Sequence, residues 1–147
     1  MSIAIFHYQT VMMVFCDANN PGDALSETSK QVMYDLHSHT TASDGLLTPE
    51  QLVHRAAEQG VDVLAITDHD TVMGIAPAQA EIARAGLALR LVSGVEISTV
   101  WENHEIHIVG LGVDETHPAL RAFLANQHQL RESRACMIAE RLEKARI

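Results

Sequence analysis

Residues 48–67 read Thr48-Pro49-Glu50-Gln51-Leu52-Val53-His54-Arg55-Ala56-Ala57-Glu58-Gln59-Gly60-Val61-Asp62-Val63-Leu64-Ala65-Ile66-Thr67, a helix and a strand joined at one glycine. Thr48 is placed to cap the helix, Pro49 occupies the first helical position, and Gln51 completes a capping box. Leu52, Val53, Ala56 and Ala57 give the helix an apolar face, and Gly60 ends it. Val61 to Thr67 is short and mostly apolar, as expected of a strand in a sheet covered on both faces.

The same alternation extends in both directions. Val32 to Leu36 reads as a first strand. A second helix starts at Thr71 or at Ala76-Pro77 and stops at Gly86. Leu87 to Val95 holds a third strand and Glu105 to Leu111 a fourth. In the fourth, alternation puts His107 and Val109 on one face and Ile106 and Ile108 on the other. From Pro118 onward the pattern is one long helix with an apolar stripe of Leu120, Phe123, Leu124, Leu130, Ile138 and Leu142. Its mixed charges, Arg131, Glu132, Arg134, Glu140, Arg141, Glu143 and Lys144, read as a solvated face rather than a phosphate-binding patch. The expected fold is α/β, with about four βα units, parallel strands and right-handed crossovers.

The 147 residues are 47% hydrophobic, enough for one domain with its own core. A formal charge of −9 argues against a broad basic surface for nucleic acid. A nucleotide substrate stays compatible with it, because bound divalent cations invert the sign locally. Cys16 and Cys136 match no metal or redox spacing and read as reduced thiols of a cytoplasmic protein. No apolar run reaches membrane-spanning length. Ile3 to Cys16 lacks the basic start and cleavage site of a signal peptide. Asp17 to Lys30 is polar and reads as a linker. Residues 1–31 are therefore expected to be a poorly ordered extension, with Met12, Met13 and Met33 as alternative starts, and the domain to begin at 32.

Ligand-type residues lie at or near the ends of these strands. They are His37 and His39 in Asp35-Leu36-His37-Ser38-His39, then Asp44, His69 in Asp68-His69-Asp70, Glu96, and His107 inside the fourth strand. Histidines at i and i+2 on an extended strand point to one side and can share a cation. A carboxylate such as Glu96 can bridge two cations, and a mixed nitrogen and oxygen set suits Mn²⁺, Fe²⁺ or Zn²⁺. Clustered metals activate water and offset phosphoryl charge. Each residue alone has a plainer reading: a turn at Asp44-Gly45, a helix cap at Asp68-His69-Asp70, a surface acid at Glu96, a core histidine at His107. Their joint placement at strand ends favours a metal site. The chain has neither a Walker glycine loop nor a G-x-S-x-G elbow.

The strings DLHSHTTASDG, ITDHDT, GVEIS and EIHIVG resemble the first motifs of the polymerase and histidinol phosphatase (PHP) superfamily. With TVWENHEIHIVGL, the resemblance is to its 5′→3′ exoribonucleases and 3′,5′-nucleotide bisphosphate phosphatases, and it covers Met33 to Ile147. It implies part of a distorted seven-stranded β/α barrel carrying up to three metals, usually Mn²⁺, with a metal-bridging hydroxide as nucleophile. By motif, His37 and His39 would hold one metal and Asp44 and His69 a second. Glu96 would bridge the first to a third, which His107 also binds. Asp68 and Asp70 would be supporting or capping groups rather than ligands, useful for orienting His69. His104, near the site in sequence, reads either as a substrate-loop residue or as a plain surface histidine. The implied substrate is a nucleotide or a short RNA 5′ end. No stable protein partner is expected beyond association through an uncovered sheet edge.

Family members run to about twice the matched length, and their second halves supply further strands and ligands. The chain is accordingly expected to be the first half of such a domain, catalytically impaired alone. The alternative is a non-catalytic fragment or interaction module that retains partial metal binding.

Overall fold

A computed structural model describes residues 10–13 and 31–147. The expectation of disorder for residues 1–31 falls mostly outside the described residues. Within that stretch, Thr10–Met13 forms a strand, β1, which sequence reading did not anticipate. The elements that follow are β2 (Tyr34–Ser38), α1 (Pro49–Glu58), β3 (Val63–Ile66), α2 (Ile75–Ala85), β4 (Arg90–Trp101), β5 (His104–Leu111) and α3 (Pro118–Lys144). The chain divides into two compact units, Met1–Val113 and Asp114–Ile147.

In the first unit the five strands form one sheet in the order β1-β5-β4-β3-β2. β2, β3 and β4 run parallel, joined through α1 and α2 as expected for βα units. β1 lies parallel to β5, with Thr10 opposite His107 and Met13 opposite Gly110. The helices form where the sequence places them. Thr48 Oγ1 accepts from the Gln51 amide at 3.3 Å, and Gln51 Oε1 accepts from the Thr48 amide at 3.0 Å. Such a cap contributes about 0.5–2 kcal/mol. Gly86 ends α2 with φ +62, in the left-handed region that glycine enters without steric cost.

All four residues of β3 are buried. Leu64 and Ile66 pack with Val53 and Ala56 of α1, Ala78 of α2, and Leu89. Each fully buried aliphatic side chain contributes about 1.5–3 kcal/mol. This core makes β3 the rigid base on which the residues after it are presented.

The repeat of strand and helix holds for two units and then changes. β4 and β5 pair antiparallel, from Gly94 opposite Leu111 to Trp101 opposite His104. The two-residue connection, Glu102-Asn103, has φ of +47 and +65. That is the backbone of a tight hairpin turn matched to strand twist. β4 therefore runs on past Val95, and Glu96 sits within the strand rather than at its end. Gly94 marks the change of partner: a Cβ there would lie 2.8 Å from the Ile66 carbonyl and 3.1 Å from the Gly110 carbonyl. Only a glycine lets the backbones of β3 and β5 approach β4 so closely at this point.

The second unit is α3 and the turn before it. His117 caps the helix through Nδ1, which accepts from the Ala119 amide at 3.2 Å, and Pro118 follows at the first helical position. The helix forms as expected, but its apolar stripe is largely exposed at Phe123, Leu130, Ile138 and Leu142, whereas Leu124 is buried. Charged residues are interleaved round the helix instead of being confined to one face.

Candidate metal centre

The ligand series converges beyond the end of β3. Glu96 is the floor of the cluster, with a side chain only 4% exposed. Its backbone is fixed to the 68–70 turn, since its amide donates to the Asp68 carbonyl at 3.1 Å and its carbonyl accepts from the Asp70 amide at 2.9 Å. These bonds prolong the sheet past Ile66 as a bridge between His69 and Glu96. Asp70 adopts φ +52 to make the turn, a conformation that Asp tolerates better than most residues. Its carboxylate accepts from the Ser98 amide at 2.9 Å, tying the turn to β4.

The two oxygens of Glu96 face different histidines. Oε2 lies 2.8 Å from His37 Nε2 and 2.8 Å from His39 Nε2, whereas Oε1 lies 2.9 Å from His107 Nδ1. His39 turns its other nitrogen, Nδ1, to Asp44 Oδ1 at 2.7 Å. His69 Nε2 stands 3.7 Å from Asp44 Oδ2 and 3.8 Å from Glu96 Oε2. Three ligand groups result: His37, His39 and Glu96; His39, Asp44 and His69; and His69, Glu96 and His107.

The donor chemistry fits divalent metal ions. A cation with bonds of about 2.1 Å spaces its ligand atoms about 3.0–3.4 Å apart. His37 Nε2 and His39 Nε2 are 3.1 Å apart, with Glu96 Oε2 completing the triangle. A neutral imidazole carries one N–H, yet His39 meets a carboxylate oxygen at both ring nitrogens. A second ring proton or a bound cation would resolve that excess of lone pairs. The gaps of 3.7 Å to Asp44 and 3.8 Å to Glu96 at His69 exceed hydrogen-bond length and are wider than the spacing of ligands drawn in on one ion.

Local charge pushes the acids toward their ionised forms. Burial alone would raise the Glu96 carboxyl, but the hydrogen bond from His37 and the charges of His69, His37 and His39 bring it below its ordinary value. Burial would likewise raise Asp44, and contacts with His39, His69 and Ser43 hold it low. Burial lowers His69, and His39 and His107 add to this against the pull of Glu96 and Asp44, which favours the uncharged ring that can ligate.

All six residues expected to ligate metal are thus brought together: His37, His39, Asp44, His69, Glu96 and His107. His104 is not among them. It opens β5 opposite Trp101 and, three residues from His107, falls on the opposite face of the strand. Neither Asp68 nor Asp70 belongs to a ligand group. The Asp70 carboxylate accepts from the Ser98 amide of β4, and the Asp68 carboxylate accepts from Thr40 and Ser43. His69 Nδ1 is the buried side-chain atom without a hydrogen-bond partner among the described residues. Sequence reading missed Thr40 and Ser43, although a Thr-Thr-Ala-Ser run before Asp-Gly is the composition of a loop stitched by hydroxyls.

Comparison with known proteins agrees with the geometry. The PHP domain family model matches residues 35–141, and the chain belongs to that family. It is 68% identical over 126 residues to the 5'-3' exoribonuclease Rnm of Salmonella typhimurium, covering 86% of this chain and 43% of that protein. It is 45% identical over 113 residues to a 3',5'-nucleoside bisphosphate phosphatase of Chromobacterium violaceum, covering 77% of this chain and 39% of that one. A solved amidohydrolase from Chromobacterium violaceum, with bound sulfate, superposes with a TM-score of 0.70 at 45% identity, over 78% of this chain and 39% of its own. The chain spans about two fifths of the length of the curated relatives it matches. The fold is accordingly α/β and part of a PHP-type barrel.

Proposed function

We propose that this protein is a metal-dependent phosphoester hydrolase acting on nucleotides or RNA 5′ ends, of the 5′→3′ exoribonuclease and 3′,5′-nucleotide bisphosphate phosphatase type. The observation that carries the reading is the buried Glu96 carboxylate, whose two oxygens face separate histidine groups as a bridging ligand would. His37, His39 and Glu96 would hold one ion, Asp44 and His69 with His39 a second, and Glu96 with His69 and His107 a third. Mn²⁺ is the proposed metal, with Zn²⁺ and Fe²⁺ as competitors. Bound divalent cations supply an activated water and positive charge against a phosphoryl group.

The chain's own residues set the direction of approach. Glu96 closes the bottom of the cluster, whereas the side chains of His37 and Asp44 are 45% and 65% exposed and form an open rim. A phosphate therefore enters from the His37 and Asp44 side. The acids around the cluster would repel it unless cations are bound, so substrate binding depends on metal loading. His104, facing away from His107, is kept as a contact for the part of a substrate that extends beyond the reacting phosphate. A cytoplasmic location accords with a nucleotide substrate. Among the described residues no helix is long and apolar enough to cross a membrane.

The test is metal titration of the purified chain, followed by phosphate release from 3′,5′-bisphosphonucleotides and short 5′-monophosphorylated RNA. Glu96→Gln should abolish binding in two of the three groups at once and any turnover with it. A chain that binds Mn²⁺, Zn²⁺ and Fe²⁺ no better than its Glu96→Gln variant would refute the reading.

A further inference from the structure

We propose that Asp68 is a positioning residue for one side of this centre: through Thr40 and Ser43 it holds the loop that sets where Asp44 meets His39 and His69. The inference rests on the reading that these groups bind metal.

Asp68 is fully buried and lies next to a ligand, but no ligand group includes it. Its oxygens are occupied by the loop instead. Oδ1 accepts from the Thr40 amide and from Ser43 Oγ, each at 2.7 Å, and Oδ2 accepts from Thr40 Oγ1 at 2.7 Å. Thr40 is fully buried as well and acts as the hub of the turn. Its carbonyl accepts from the Ser43 amide at 3.1 Å and the Gly45 amide at 2.8 Å, and its hydroxyl accepts from the Ala42 amide at 3.0 Å. The Ser43 hydroxyl lies between the two acids, 2.7 Å from Asp68 and 3.2 Å from Asp44.

The other end of Asp68 is anchored in the sheet, because its carbonyl accepts from the Glu96 amide. Asp68 thus links the strand carrying Glu96 to the loop carrying Asp44. Behind it, α2 comes close at Gly74, where a Cβ would stand 2.6 Å from Asp68 Oδ2 and 2.9 Å from Thr40 Oγ1. A side chain at Gly74 would therefore press on both the carboxylate and the hydroxyl bonded to it. Asp44, by contrast, is largely exposed, and no β-ladder holds its backbone. Its position depends on the hydroxyl and amide contacts that end at Asp68.

The test is Co²⁺ titration of the full chain, followed by d–d absorption and by calorimetry, in wild type and in Asp44→Asn, Asp68→Asn, Ser43→Ala, Thr40→Val and Thr40→Ser. Ser43→Ala and Thr40→Val should weaken one Co²⁺ site about 10–100-fold. It should be the same site that Asp44→Asn removes, with the remaining sites unchanged. Thr40→Ser, which keeps the hydroxyl, should restore the wild-type titration. Ser43 lies at the margin of the network, so its variant decides the matter if Asp68→Asn does not fold. A wild-type Co²⁺ profile in folded Ser43→Ala and Thr40→Val, or an equal loss at every site, would overturn the positioning role. If the wild-type chain takes up no Co²⁺, or if Asp44→Asn titrates like wild type, the metal reading itself fails and the proposal falls with it.

Discussion

The two carboxylates of the centre are held in opposite ways. Glu96 lies within a strand, and ladder bonds to the 68–70 turn and to β5 fix its backbone. Asp44 lies on a loop whose shape comes from side-chain hydroxyls, one buried aspartate and one glycine. The strand side inherits the stability of the core. The loop side depends on a few polar contacts, each worth about 0.5–1.5 kcal/mol. One site therefore joins a robust half to a half that single polar substitutions can disturb.

Four measurements test that contrast, in descending order of expected effect. Leu64→Ala removes a fully buried side chain from β3, beneath both halves. It should cost about 2–5 kcal/mol in urea unfolding, and metal uptake should fall in step with the folded fraction. Gly45→Ala strikes the loop where it packs on His39. Its Cβ would stand 2.3 Å from the His39 carbonyl oxygen, so the loop must move. A cost of about 1–3 kcal/mol is expected, with the Asp44 metal weakened more than the one held by His37, His39 and Glu96, because His37 and Glu96 sit on strands the clash does not touch. Equal loss at both groups would erase the contrast.

Acid should act on both halves of the metal-free chain. His69 is held below its ordinary 6.5 chiefly by burial, so beneath that pH the unfolded chain takes up a proton that the folded one refuses. Stability therefore drops as pH falls below 6.5. Glu96 and Asp44, both lowered, stabilise the fold above their ordinary values of 4.5 and 3.8 and lose that contribution as pH falls through their folded values. Urea melts at descending pH should show a monotonic decline, with its first part absent in His69→Gln. A stability maximum below pH 6 would contradict this.

The smallest effect is expected outside the centre. Glu81 of α2 accepts from Arg84 at 2.6 Å and contacts His54 of α1 at 2.6 Å. Hydrogen bonds from Arg84 and then His54 pull its carboxyl down to about 2. Its contribution is full above 4.5 and is lost as pH falls through about 2. The partners Arg84 and His54 lie at the surface, where such pairs contribute little, so Glu81→Gln should change Tm only slightly and leave metal titration untouched. A change in metal uptake would show that the α1–α2 contact reaches the site.

Much of this was legible from local chemistry. Thr48, Pro49, Gln51 and Gly60 specify α1 through backbone hydrogen-bonding rules that act within a few residues. The buried run Val63–Ile66 announces a central strand because it has no polar face. The β4–β5 hairpin escaped notice because its turn is Glu102-Asn103, with no glycine to mark the left-handed backbone, although Asn103 was a signal available at a two-residue spacing. The partners of Asp68 were not foreseen for a different reason. Adjacency in sequence suggested that it serves His69, but an extended backbone turns neighbouring side chains apart, and Asp68 reaches residues 25 and 28 positions earlier instead.

By itself the sequence determined the family, the α/β class and the identities of the six ligand-type residues, because motif chemistry and hydrophobic period are local properties of the chain. Tertiary structure alone decided the antiparallel turn of β4 onto β5, the bridging posture of Glu96 and the attachment of the Asp44 loop to Asp68. Each of those depends on which distant backbone groups face one another across the sheet, and no spacing along the chain encodes that before the strands pair.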